Sequence, residues 1–444
     1  MKTENIMTEI LLLGIFSAAL LICIFSGASI LFALIFGLII FSFYAFELGH
    51  APKKIFGMWK AGIRPIKPIL ITLLLIGIIT AYWRAAGVIP AIIFYTADFF
   101  SPEIILLMTF WLCGLISTLT GTAFGTAATM GIICGSIAEN LGVPTFLTGG
   151  AILSGCYMGD RCSPMSTSAL LVANLTRTDI FKNIFGMLKT SIVPMIIASA
   201  FYLVAGIFFA GEGVSSVDSK EIFSRAFEIN FIVLIPAILI VVLSIFRLKV
   251  QFMMLASIFA CAMIEFWIQG LNFSELIKIA ALGYYPNDTE LAKIMSGGGI
   301  VSMANVVAIV CLSSCYAGIF QATGFLNRLQ NLMISLGKKF SSFASVLVAA
   351  IITSMISCNQ TLAIMLTHQL CKKVEPRAEI FAIQIENSAV VISPMIPWSI
   401  ASVIVLMPID APKISILAAW YLWLIPICNL IIRQKKSLRK NRRD

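Results

Sequence analysis

Residues 154–168, SGCYMGDRCSPMSTS, and residues 386–399, ENSAVVISPMIPWS, decide how this chain folds. Each stretch lies in a long apolar region, yet each contains an acid, several hydroxyl side chains and a Ser-Pro-Met tripeptide. Proline interrupts the hydrogen bonds of a helix, and unwound backbone at membrane depth is tolerated only where protein or a water-filled cavity surrounds it. Paired interruptions of this kind point to the binding site of a transporter.

The composition around these stretches is that of a membrane protein. Of 444 residues, 59% are hydrophobic and 12% are charged, whereas soluble domains have roughly 45–50% and 25%. At roughly 20 residues per span, the sequence predicts an all-α polytopic protein with about 10–12 spans. The net charge of +10 is explained by lipid orientation, so the expected partner is the lipid bilayer and not nucleic acid.

Loop charges predict the orientation and the domain boundaries. Segment 47–67 has five basic residues against one acid, and the tail 433–444 has seven against one. The positive-inside rule places both segments, and hence both termini, on the cytoplasmic side of an inner membrane. The acidic segment 211–228 is predicted to be an external linker between a first transmembrane half (1–210) and a second (229–432).

The two halves also match in sequence. The Ser-Pro-Met tripeptides at 163–165 and 393–395 lie 230 residues apart, and WRAAG at 83–87 matches FQATG 237 residues later. The second shift places Thr122 opposite Asn359, inside two further interrupted segments. Because the flanking charges change sign between the halves, the sequence predicts two inverted repeats with broken helices.

Two acids in the interrupted segments, Asp160 and Glu386, are the candidates for ion and proton binding. A charged side chain inside a bilayer costs roughly 2.5–3.5 kcal/mol and is a functional candidate by default. Sodium prefers hard oxygen ligands, so either acid can bind a sodium ion among these oxygens when it is ionised and carry a proton when it is neutral. The alternatives are an ion pair between Asp160 and Arg161, and a surface position for Glu386. The expected oxygen donors are Thr122, Ser163, Ser166, Thr167, Asn359, Gln360, Thr361, Asn387, Ser388 and Ser393.

Arg84 is the candidate anchor for an organic substrate. If it faces a cavity, its guanidinium can pair with Asp160 or Glu386, or hold a carboxylate substrate through two hydrogen bonds. The alternative is that it extends to the membrane surface. Its counterpart in the second half is the neutral Gln321. Glu265 is expected at the membrane surface.

In these motifs the chain resembles the NhaC-type sodium/proton antiporter family of the ion transporter superfamily. The similar stretches are TAYWRAAGVIPAIIFY, TGTAFGTAATMGI, LSGCYMGDRCSPMSTS and IENSAVVISPMIPWS, and the resemblance extends from about residue 60 to residue 410. It implies sodium/proton exchange, re-entrant hairpins and, often, a homodimer. The family pattern often has acids where this chain has residues 166–168 and Asn387, which leaves the ion stoichiometry open.

The sequence therefore favours a secondary transporter, a sodium/proton antiporter working by alternating access, with sodium and protons as cargo and no cofactor. The alternative is a transporter of a small carboxylate or amino acid driven by sodium or protons, with Arg84 as its anchor. An intramembrane enzyme is a remote third hypothesis, because the common hydrolase signatures are missing.

Overall fold

The computed structural model describes residues 4–26, 28–96, 101–164, 166–209, 223–246, 248, 250–288, 291–292, 295–325, 334–335, 337, 341–357 and 359–440. Within these ranges the regular structure is helical, apart from one isolated bridge between Tyr284 and Gly297. The all-α prediction is therefore confirmed. The helices of the first half are α1 (Glu4–Phe25), α2 (Ile30–Glu47), α3 (Pro52–Ile63), α4 (Lys67–Ala85), α5 (Val88–Thr96), α6 (Pro102–Thr120), α7 (Ala123–Thr126), α8 (Ile132–Asn140), α9 (Thr145–Cys162), α10 (Thr167–Thr176) and α11 (Ile180–Phe209).

The second half continues the same all-helical pattern. Its helices are α12 (Ile235–Ile245), α13 (Val250–Trp267), α14 (Phe273–Leu282), α15 (Ala304–Thr323), α16 (Ser342–Ser357), α17 (Gln360–Cys371), α18 (Ala378–Glu386), α19 (Ala389–Ile392), α20 (Ile400–Leu406) and α21 (Trp420–Lys440). A π-helical segment, Ala127–Gly131, joins α7 to α8. Short 3-10 helices cover Arg64–Ile66, Phe231–Leu234, Ile300–Met303, Ser393–Met395, Met407–Ile409 and Lys413–Ala418.

Several helices have the length and apolar composition of membrane spans. Four described helical segments are sufficient by themselves, namely Ile30–Glu47, Pro102–Thr120, Ile180–Phe209 and Ile300–Thr323. The pair Ala378–Met395 and Ile400–Ile409, bent by 59°, can serve as a fifth broken span, and seven shorter apolar helices accompany them. The structure thus has the apolar and broken helices that the sequence predicts, while the number of 10–12 spans stays a prediction.

Segment 47–67, predicted as a loop, instead contains helix α3. Ile55 and Met58, three residues apart, are buried on one face of this helix, as the helical period requires. α3 packs so closely on α15 that a Cβ on Gly62 would overlap the carbonyl oxygen of Ser314. Three of the five basic side chains of this segment, Lys53, Lys54 and Lys60, therefore belong to a helix docked on the transmembrane part.

Backbone conformation supports the internal repeat. Thr122 and Asn359 are both helix N-caps with extended backbone, at φ −151° and −147°, and each side chain accepts a backbone N–H of the following turn. In the described ranges, the non-glycine residues with positive φ are Arg177 (55°) and Asp410 (50°). Each of these ends the helical segment that follows a Ser-Pro-Met tripeptide, so the halves share unusual backbone positions as well as sequence.

The corresponding helices α9 and α18 run in opposite directions. The later part of α11 contacts the first part of α9, where Tyr202 Oη donates to the Gly150 carbonyl over 3.0 Å, and the first part of α11 accepts from Arg161 at the end of α9. The start of α11 also lies beside the start of α18, with Lys182 Nζ 3.6 Å from Glu379 Oε1. α18 therefore begins on the side where α11 begins, and it ends beside the end of α9, where Arg161 contacts Asn387. The two helices reach this point from opposite sides, so the repeat is inverted. We call the side where α11 and α18 begin the Lys182 end.

The structure describes only part of the predicted linker between the halves and part of the predicted tail. Residues 210–222, most of the predicted external linker, lie outside the described residues, as do residues 441–444 of the predicted tail. The remaining tail residues continue α21 to Lys440. The boundaries at 210 and 229 therefore stay predictions.

Candidate functional site

The Asp160 pocket forms at the break between α9 and α10. Ser163 ends α9 in an extended conformation, and Ser166 is the N-cap of α10, where its hydroxyl accepts two backbone N–H groups. Asp160 is 4% exposed; its two oxygens accept hydrogen bonds from Ser166 Oγ (3.0 Å) and Ser168 Oγ (2.9 Å). These hydroxyls lie 2.7 Å apart. A carboxylate with two adjacent hydroxyls is a donor set suited to a hard cation.

Thr167, a predicted oxygen donor, is not part of this pocket. It is exposed on the first turn of α10, and Ser168, which the sequence analysis did not single out, takes the expected position beside Asp160. Adjacent helix positions point in directions about 100° apart. The position that faces the carboxylate therefore depends on where α10 begins.

Arg161 was considered only as an ion-pair partner of Asp160, and the structure gives it a different role. It is wholly buried, and the acceptors of its hydrogen bonds lie on neighbouring helices and not in the Asp160 pocket. Its terminal nitrogens donate to groups on α11, on α21 and at the end of α18. The acceptors are Ser191 Oγ (2.7 Å), Tyr421 Oη (3.1 Å), Thr190 Oγ1 (3.0 Å) and, by a short contact, Asn387 Oδ1.

Glu386 lies at the end of α18, next to the Asn387 that Arg161 contacts. It is fully buried, which is not the surface position of the alternative reading. Neither of its carboxyl oxygens accepts a hydrogen bond from the described residues. It lies within electrostatic range of both Arg161 and Asp160. One buried cation and one buried acid of the first half thus lie within electrostatic range of a buried acid of the second half, and we call these three residues the charge triad.

The remaining predicted donors surround the helix breaks but have other contacts. Gln360 Nε2 donates to the Val390 carbonyl (3.1 Å), Ser388 Oγ donates to the Gln384 carbonyl (2.6 Å), and Ser393 Oγ lies 3.4 Å from Ser399 Oγ. None of these contacts reaches either acid. The same holds for the described contacts of the other donors named from sequence, Thr122, Asn359 and Thr361.

Arg84 lies far from the charge triad. Its Nη2 is 3.3 Å from Asp410 Oδ2, and the two side chains are 13% and 77% exposed. It lines a cavity of about 380 Å³ together with Glu139 and Thr145. Asp160 follows Thr145 by 15 residues along α9, about 22 Å at 1.5 Å per residue. Arg84 therefore does not pair with Asp160. We call this side of the protein the Arg84 end; Gln321, exposed in the second half, does not line the cavity.

Glu265 was predicted to lie at the membrane surface; it lies near the end of α13, and its depth in the membrane stays a prediction. It is fully buried, and neither carboxyl oxygen has a hydrogen-bond partner among the described residues. Its neighbours include Tyr82 and Tyr284. Its position in an apolar helix was a signal that could have identified it as buried, because an acid inside a span faces the protein interior.

Known proteins similar to this chain are transporters by name. A family model described as "Na+/H+ antiporter family" matches residues 155–433, more than half of the chain. The chain is 28% identical over 405 residues to the "Malate-2H(+)/Na(+)-lactate antiporter" of Bacillus subtilis (strain 168), covering 88% of this chain and 86% of the relative.

Two further relatives match this chain over most of their own length. The "Na(+)/H(+) antiporter NhaC" of Bacillus subtilis (strain 168) is 25% identical over 401 residues, with 88% of each chain covered. The "Arginine/ornithine antiporter ArcD" of Halobacterium salinarum is 27% identical over 377 residues, covering 81% of this chain and 77% of the relative. The range that the family model matches, residues 155–433, contains all three residues of the charge triad.

Proposed function

The chain belongs to the Na+/H+ antiporter family, and from that premise we propose that it exchanges sodium for protons by alternating access, with Asp160 and Glu386 as the ion-handling carboxylates. The observation that carries the proposal is the Asp160 pocket, a buried carboxylate within hydrogen-bonding distance of two hydroxyls. When ionised, this carboxylate and the hydroxyl oxygens bind Na⁺. When a proton takes the carboxylate, the sodium site loses its charge and releases the ion.

Glu386 supports the same proposal from the second half. A buried ionised carboxylate without hydrogen bonds is costly, and Glu386 receives none from the described residues. It is therefore suited to holding a proton, or to facing the charge of Arg161. Because the two acids come from inverted repeats, both halves contribute to one site, and alternating access exposes this site to each side of the membrane in turn.

The direct test uses purified protein in liposomes that contain a pH dye. A sodium pulse is expected to change the internal pH, and Asp160→Asn is expected to abolish this change. Asp179→Asn is the matched control: Asp179 is exposed, and asparagine preserves its cap on the Lys182 N–H. An internal pH that does not respond to sodium, lithium or potassium would contradict the proposal.

A second candidate, exchange of a small carboxylate or amino acid, is favoured by the cavity at the Arg84 end. This cavity contains a guanidinium beside the carboxylates of Glu139 and Asp410, groups that complement a zwitterion. Two relatives are named as antiporters of such solutes. The same liposomes test this candidate with malate, lactate and arginine. Arg84→Ala should abolish solute-driven flux and preserve sodium-driven flux if Arg84 is the anchor.

The same proposal includes an inner-membrane location with the Lys182 end facing the cytoplasm. It is supported by the basic segment 372–377 and the basic tail, under the positive-inside rule. Single cysteines at Arg177 and Asp410, which correspond in the repeat, should be labelled from opposite sides of the membrane. Labelling of both from one side would contradict this orientation. A homodimer, implied by the family resemblance, also stays a prediction.

A further inference from the structure

The charge triad has an odd number of charges. Asp160 and Glu386 each contribute one negative charge when ionised, and Arg161 contributes one positive charge that it keeps at any physiological pH, because a guanidinium does not lose its proton in proteins. The empty site therefore has a net charge of −1. This count includes the charged residues in electrostatic range of Glu386.

Arg161 is built into the fold and is not a mobile group. Its four hydrogen bonds reach α11, α21 and the end of α18, and the residue is fully buried. Its side chain therefore moves with the site when the site changes sides. Among the described residues, both carboxyl oxygens of Glu386, Arg161 Nε and Asn387 Nδ2 have no hydrogen-bond partner.

From this count, and resting on the proposed function, we infer that Arg161 is a fixed internal counter-charge that limits the site to one exchangeable cation and makes the exchange electroneutral, one sodium for one proton. With one Na⁺ at Asp160 the site is neutral. With one proton on either acid it is neutral as well. Neither loaded form carries charge across the membrane.

The same charge count accounts for coupling. A site that crosses the membrane empty would carry its net charge of −1 through a region of low polarity, which is strongly disfavoured. The loaded forms do not meet this barrier. The site therefore changes sides only when it holds an ion, which is the condition for exchange instead of leak. Without Arg161, the empty site would have a charge of −2, and a single cation would leave it charged.

The test measures how the flux depends on membrane potential. Liposomes with the wild-type protein are given a fixed sodium gradient, and the pH gradient at which proton flux stops is found with valinomycin-clamped potentials of zero and about 100 mV. A potential of that size shifts the equilibrium of one uncompensated charge roughly 50-fold. The expected result is a null point at equal sodium and proton gradients that does not move with potential.

Variants of Arg161 test whether this residue makes the null point independent of membrane potential. Arg161→Lys keeps the charge and is expected to keep a potential-independent null point at a reduced rate. Arg161→Gln is expected to lose at least tenfold in rate, and its residual flux should respond to potential. Arg177→Asn is the control, because Arg177 is exposed in the same half and asparagine tolerates its left-handed backbone.

Two failures can be told apart. A wild-type null point that shifts with potential overturns the inference and leaves the antiporter proposal intact. A wild-type protein that shows no sodium-driven proton flux overturns the antiporter proposal itself. If Arg161→Gln does not fold, the wild-type and Arg161→Lys null points still decide, since both must be independent of potential.

Discussion

The Asp160 pocket and the surroundings of Glu386 are two solutions to the burial of an acid at a helix break. Asp160 receives hydrogen bonds from two hydroxyls, whereas the Glu386 oxygens receive none from the described residues. Hydrogen bonds to a carboxylate favour its charged form, and burial without them favours the neutral form. The difference suggests a division of work within one charge triad: Asp160 supplies the cation ligands, and Glu386 holds the proton in the proton-loaded form and faces the charge of Arg161 in the sodium-loaded form.

The different roles of the two acids can be tested by neutralising each acid in turn. Asp160→Asn removes the charged ligand, and sodium affinity should fall by roughly 100-fold or more. Glu386→Gln leaves the ligands in place and removes only a neighbouring charge, so the loss should be roughly tenfold. Sodium-dependent thermal stabilisation of the purified variants measures both. Equal losses would remove the distinction between the two acids.

A finer test separates the two hydroxyl neighbours on the first turn of α10. Ser168→Ala removes a hydroxyl that donates to Asp160 over 2.9 Å, and the sodium concentration for half-maximal flux should rise roughly fivefold, as expected for one hydrogen bond. Thr167→Ala is the matched control, because Thr167 is exposed. A larger effect of Thr167→Ala would show that the helix has a different register in the sodium-bound state.

These two positions show how far sequence reasoning extends. The breaks in the helices could be predicted because proline, glycine and small polar residues stand out in apolar sequence. Asp160 and Glu386 could be identified because acids inside a membrane are costly. The direction of a side chain could not be predicted, since it depends on the residue at which a helix begins. For this reason Ser168, and not the predicted Thr167, lies beside Asp160.

Arg161 and Arg84 show the same limit for charged partners. Arg161 follows Asp160 directly, yet its acceptors are on three other helical segments. Arg84 pairs with Asp410, 326 residues away in sequence. Neither partner follows from local spacing, because each depends on how the two halves pack. The burial of Glu265, in contrast, could have been predicted, because an acid inside an apolar helix faces the protein interior.

The comparison of the halves can be extended to the two ends of the protein. At the Arg84 end, Arg84 and Asp410 form an ion pair. The repeat places Gln321 and Arg177 at the corresponding positions, and these residues cannot form one. Arg84→Ala should therefore ease opening at the Arg84 end, by at most about fivefold since exposed ion pairs are worth up to about 1 kcal/mol.

Labelling of a single cysteine at Ser136, which lines the cavity at the Arg84 end, measures that opening. Its rate should increase in Arg84→Ala and in Asp410→Ala, and should return to the wild-type value when the two charges are exchanged. Gln321→Ala is the control at the other end and should leave the rate unchanged. A rate that is the same in all variants would mean that the ion pair does not restrain this end.

Glu375 is a reference for the two acids of the site, because it is buried like Glu386 and accepts several hydrogen bonds like Asp160. Its replacement is expected to have the smallest effect of the variants considered. Burial raises its pKa, but hydrogen bonds from Arg377 (2.7 and 3.0 Å) and Ser342 (3.0 Å) outweigh burial and hold the pKa below its ordinary value. A lowered pKa means that the ionised form stabilises the fold above the unfolded value of about 4.3, and that this stability is lost as the pH falls through the folded value. The melting temperature of Glu375→Gln should therefore lie roughly 1–2 °C below wild type at pH 7, and the gap should close as the pH is lowered below about 4.3. A gap that persists in acid would mean that packing, and not the charge held by its donors, is what Glu375 contributes.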